Sequence, residues 1–108
     1  MTGLGKIKEV IMNHQDKYKL IGIREEVDAF VCFAPIVEET DTRRLEAGVR
    51  DLFLGIPETS GIISTHSGVV MMTCSEHIGG MTIPPRNIYV QCFLNEEAAR
   101  QAYNLSLR

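Results

Sequence analysis

The sequence predicts an α+β fold: a two-layer sandwich with a mainly antiparallel sheet of about five strands and two to three helices, residues 1–108 forming a single α+β domain. Three observations lead there. Apolar residues recur at helical spacing in three separate segments, while the segments between them are β-rich and short. The uncharged stretch 59–75 breaks at Ser67-Gly68, a hairpin turn with glycine available for positive φ. And 108 residues is the common size of one domain, burying roughly two-thirds of the surface that the unfolded chain exposes.

The elements follow in order. Residues 4–14 place Leu4, Ile7, Val10, Ile11 and His14 on one helical face, with Lys6, Lys8 and Glu9 opposite. Residues 17–24 carry Tyr18, Leu20, Gly22 and Ile23 and read as a strand, followed by a turn at Glu25-Glu26-Val27-Asp28. Residues 28–37 are apolar on both alternating faces, as in a central strand covered on each side, with pairing interrupted near Pro35. Thr40 or Asp41 caps a helix carrying Leu45, Val49, Leu52 and Phe53, with Gly55 and Pro57 as its stop.

In a two-residue hairpin, His66 lies opposite Val69. Ile63, Thr65, Val70, Met72 and Cys74 then form the more apolar face, turned to the core. The other face holds Ile62, Ser64, His66, Val69, Met71 and Thr73, without a formal charge. A solvated strand face ordinarily carries Lys or Glu, so this face is expected to be covered by a helix or another subunit. Gly79-Gly80 and Pro84-Pro85 punctuate a loop over 77–87. A strand with Ile88, Val90, Cys92 and Leu94 on one face comes next. Asn95 then caps a final helix that opens with Glu96 and Glu97. The order resembles in outline the ferredoxin-like and ACT-type regulatory domains, with the 77–87 loop standing where a βαββαβ unit has its second helix.

Composition narrows the function. With 44% hydrophobic and 23% charged residues the chain is expected to be globular, not disordered. A formal net charge of −3 and dispersed basic residues argue against nucleic acid as a partner and disfavour an anionic membrane surface. No apolar run approaches the ~20 residues that span a bilayer, and the N-terminus shows no secretory core, so the expected location is cytoplasmic. Cys32, Cys74 and Cys92 are odd in number, irregularly spaced and set in apolar stretches, which predicts buried, reduced thiols.

Several clusters invite chemistry. Cys74-Ser-Glu-His77 pairs a thiol with an imidazole, but two ligands do not make a metal site and no second pair accompanies them, so no metal is assigned. As nucleophile and base the same pair needs a favoured, accessible thiolate, whereas Met71, Met72 and Thr73 precede Cys74 on a strand that suits a packed thiol, with no glycine elbow beside it. The acidic sets Glu25, Glu26, Asp28 and Glu38, Glu39, Asp41 have no calcium-loop spacing and flank strands or cap elements. The 77–87 loop is longer than most connections. Its glycines admit close backbone approach, and its arginine suits a carboxylate or phosphate. The expected ligand-binding residues are therefore His66, His77, Gly79, Gly80, Thr82 and Arg86.

The expectation is a non-catalytic regulatory or small-ligand-binding domain acting as a homo-oligomer, its partners another copy of itself and a small anionic ligand, with no cofactor identified. Two alternatives are a small enzyme with an active site at a subunit interface using His66 or His77, and a structural or adaptor subunit of a larger complex.

Overall fold

The computed structural model describes residues 3–54, 61–76 and 86–108. Eight elements follow one another: α1 (Gly3–Met12), β1 (Tyr18–Glu25), β2 (Ala29–Pro35), α2 (Thr42–Phe53), β3 (Gly61–His66), β4 (Val69–Glu76), β5 (Arg86–Cys92) and α3 (Glu96–Ser106). The strands form one sheet in the order β1-β2-β5-β4-β3. Three of its pairings are antiparallel, and the central pair, β2 with β5, is parallel. The class is the expected α+β, with helices packed on a single sheet.

Local chemistry accounts for the elements. Asp41 caps α2 by accepting from the Arg43 N–H at 2.8 Å, and Asn95 caps α3 by accepting from the Ala98 N–H at 2.8 Å. Beyond Phe53 the Leu54 N–H donates to the Asp51 carbonyl. The expected stop at Gly55 and Pro57 lies outside the described residues. The β3–β4 hairpin has the two-residue turn Ser67-Gly68 with φ of 53° and 79°, positive at both positions as a type I′ turn requires. His66 consequently pairs with Val69.

The main core lies between the sheet and the layer formed by α1 and α2. Leu4, Ile7 and Ile11 from α1 and Leu45, Val49 and Phe53 from α2 meet Val31, Phe33, Val70, Met72, Cys74, Ile88, Val90 and Cys92 from the sheet. The hairpin face with Val70, Met72 and Cys74 is thus the buried one, as its composition predicts. Alternate residues of β2, Cys32 and Ala34, face the other way and join a second cluster with Phe93, just past β5, and with Ala99 of α3. Both faces of β2 are covered, as its double apolar pattern implies.

The two sides of the sheet are covered unequally. α3 packs against β2 and β1. Across the strands, Cys32 is in register with Gln91, Met71 and Ser64, which places all four on the α3 side. On that side Met71 and Gln91 are half-buried, and Ser64, Thr73 and His66 are exposed. One row of it holds a stacked series: the Arg24 guanidinium lies 4.6 Å over the Phe30 ring, and Phe30 stacks on Tyr89 with centroids 5.0 Å apart. No described helix is long and apolar enough to cross a membrane.

Candidate ligand site

An open groove of about 530 Å³ lies beside the start of β1. That volume falls within the usual range for small-molecule sites. The end of α1 contributes Met12, the turn after it Gln15, and the start of β1 Tyr18, Lys19 and Leu20. Ile36, just past β2, and Glu96, in the first turn of α3, close the far side. Met12 and Ile36 are each 51% exposed, so two large apolar side chains meet water inside one groove.

Backbone hydrogen bonds hold this end of the molecule in place. The Lys17 and Tyr18 N–H groups both donate to the His14 carbonyl, at 2.9 and 2.8 Å, which closes the turn between α1 and β1. The Ile36 N–H donates to the Lys17 carbonyl at 3.0 Å and ties the end of β2 to the same turn. Tyr18 is the common member of three concavities. It also lines clefts of about 190 Å³, with His14, Gly48 and Asp51, and about 280 Å³, with Val37, Glu39 and Arg44. Its ring packs edge-on against Phe33 with centroids 5.7 Å apart, and its hydroxyl touches Gly48 of α2. Burial pushes the Tyr18 phenol above its ordinary pKa, with Cys92, Asp51 and Glu39 adding smaller upward contributions.

The polar rim of the groove is an ion-pair network. Glu96 Oε1 accepts from Lys19 Nζ at 2.9 Å and from Arg100 Nη2 at 2.6 Å, and these bonds hold its carboxyl below the usual carboxylate range. Gln15 Nε2 contacts Met12 Sδ at 3.2 Å. The groove therefore offers an apolar floor and wall, an amide, and an ammonium on the rim.

The residues singled out in the sequence are distributed differently. His66 is exposed at the C-terminal end of β3, beside the hairpin turn. Arg86 opens β5 opposite Glu76, with its Nη1 3.8 Å from Glu25 Oε1. Seven residue steps of β4 separate the partner of His66 from the partner of Arg86. At ~3.3 Å per residue that is roughly 23 Å, so these two side chains occupy opposite ends of the sheet. His77, Gly79, Gly80 and Thr82 lie outside the described residues, as does the histidine half of the Cys74–His77 pair.

The remaining clusters have structural partners. Cys32, Cys74 and Cys92 are all buried and unbridged. Desolvation pushes the Cys32 thiol up to about 11 and the Cys92 thiol higher still, so both are protonated at neutral pH. Glu25 spans Lys8 and Arg86. Glu39 Oε1 accepts the Thr40 and Asp41 N–H groups ahead of α2. Among the described residues no group of three His, Cys, Asp or Glu side chains converges as a metal site. The Tyr18 groove escaped the sequence reading because its walls come from four separate elements. The one local signal was Ile36, an apolar residue just past Pro35, where strand pairing is expected to break off.

Comparison of the chain with protein-family models, with curated proteins and with solved structures found no match.

Proposed function

We propose that this chain is a small-ligand-binding domain that works by binding, not bond making, and acts as a homo-oligomer. The observation that carries the ligand reading is the ~530 Å³ groove in which half-exposed Met12 and Ile36 face a Lys19–Glu96 rim. Such a surface matches a small amphipathic molecule, with its apolar body against Met12, Leu20 and Ile36 and an anionic end at Lys19. The anion competes with Glu96 for the ammonium, and Arg100 is close enough to keep Glu96 paired when Lys19 turns away. Occupancy ties the α1–β1 turn, the end of β2 and the start of α3 together. Binding energy thereby favours whichever assembly holds those three in this arrangement.

Thermal unfolding with octanoate and 3-phenylpropionate as probes tests the reading. A ligand at 100 times its Kd stabilises by ~2.7 kcal/mol, or ~12 °C for a domain of this size. Ile36→Glu, which places a charge in the apolar wall, is expected to abolish that rise, and Lys19→Gln to reduce it for both carboxylates. Failure of every amphipathic carboxylate to raise Tm, or a rise unchanged in both variants, removes the groove as the site.

A further inference from the structure

The two edges of the sheet are built to different rules. β1 carries Lys19, Arg24 and Glu25, and its register with β2 shifts between Leu20 and Gly22. Edge charges and a bulge of this kind are the ordinary means by which a protein keeps a free edge from recruiting another strand. β3, the opposite terminal strand, has neither. Its sequence, Gly-Ile-Ile-Ser-Thr-His, holds no formal charge and no proline, and its register with β4 runs unbroken over six residue pairs. Among the described strands it pairs with β4 alone, so alternate N–H and C=O groups along it point away from the sheet. Thr65 Oγ1 donates to Glu46 Oε2 at 2.6 Å, which anchors this edge strand to α2.

Resting on the homo-oligomer reading, we propose that the outer edge of β3 pairs antiparallel with β3 of a second copy about a two-fold axis. The occupant is argued from self-complementarity. A two-fold antiparallel pairing that keeps like faces together sets Ser64 opposite residue 62, 64 or 66 of the partner strand, and none of these is charged. The same operation at β1 brings several formal charges into the seam. Pairing at β3 yields one ten-stranded sheet whose two remaining edges are both β1, the defended kind, so assembly closes at two and does not propagate. The uncharged side of β5, β4 and β3 then becomes continuous with its copy across six strands, roughly 29 Å at ~4.8 Å per strand.

Two lysine substitutions on the same side of the sheet decide the matter. Ser64 and Thr73 are both exposed, Ser64 on the edge strand and Thr73 one strand in. Native mass spectrometry and light scattering of the unmodified chain are expected to give twice 12.1 kDa. Ser64→Lys brings two ammonium groups together within about one Debye length, ~10 Å at 0.1 M salt, in every allowed register. It is expected to raise the dimer Kd at least tenfold, with partial recovery in high salt. Thr73→Lys is expected to leave the dimer intact. Hydrogen exchange at 61–66 is expected to be slower in the unmodified chain than in Ser64→Lys, with circular dichroism confirming that each variant folds. A dimer insensitive to Ser64→Lys overturns edge pairing while the homo-oligomer reading stands. Dissociation by both variants points to face-to-face packing and also overturns it. A monomeric unmodified chain overturns both readings, and ligand binding at the Tyr18 groove is scored separately.

Discussion

Replacing Gly22 by alanine tests how α3 is held to the sheet. A methyl group built at Gly22 lies 2.5 to 2.7 Å from three ring carbons of Tyr103, closer than carbon atoms pack. The ring cannot move aside without giving up the bond from its hydroxyl to the Ile23 carbonyl, 3.3 Å long. Overpacking of this kind costs about 1–3 kcal/mol, and a lost hydrogen bond adds ~1 kcal/mol. Against that, alanine in a strand is favoured over glycine by roughly 0.5–1 kcal/mol. The expected net loss is about 1–3.5 kcal/mol, read as a fall in urea midpoint and, at ~4 °C per kcal/mol, a Tm drop of roughly 4–14 °C. The decisive measurement is the double-mutant cycle. In a Tyr103→Ala background the methyl meets no ring, so Gly22→Ala is expected to be neutral or stabilising there. A Gly22→Ala variant as stable as the parent, or equally harmful in both backgrounds, refutes the account.

Three further outcomes are expected. Gly48→Ala places a methyl against the Tyr18 hydroxyl, so the ~1 kcal/mol helix-propensity gain of alanine should emerge in urea titrations only when combined with Tyr18→Phe. Asn95→Ala removes the acceptor for the Ala98 N–H and should cost ~1 kcal/mol of unfolding free energy by the same assay. Stability should also fall at alkaline pH. Folding raises the pKa of Cys32, from 9.0 to about 11, and those of Cys92 and Tyr18. The unfolded chain therefore sheds these protons first as pH rises, and the stability they confer is full below about 9. Urea midpoints should decline progressively from pH 9 to 11, less steeply in Cys32→Ala.

Much of the fold was legible because its signals are local. The helix bearing Leu45, Val49 and Phe53 has a cap and an apolar stripe within one window of sequence. Ser67-Gly68 fixes the hairpin register, and with it the burial of Val70, Met72 and Cys74. The apolar run from Ala29 to Ala34 announced a strand covered on both faces, though not what covers each. What local pattern does not contain is the partner of a strand or the side of the sheet a helix chooses. The adjacency of β2 and β5, 59 residues apart from Ala29 to Ile88, is of that kind. So is the placement of α3 opposite α1 and α2. The candidate site suffered most, because Met12, Tyr18, Ile36 and Glu96 meet only once those long-range choices are made. His66 and Arg86, grouped from the sequence as binding residues, have a full strand length of β4 between their partners.

The parallel ladder between β2 and β5 also has a consequence for the order of assembly. β1 with β2, and β3 with β4 and then β5, are successive antiparallel neighbours that close over short stretches of chain. The central ladder must instead join Ala29 to Ile88, and loop-closure entropy makes it the costliest pairing to nucleate. It is therefore the seam along which two locally formed halves meet. α3 follows the second half in sequence but packs on β2 and β1 of the first, so it acts as a clasp across that seam. Docking of Tyr103 over Gly22 is then a late event, and its loss should speed unfolding more than it slows folding.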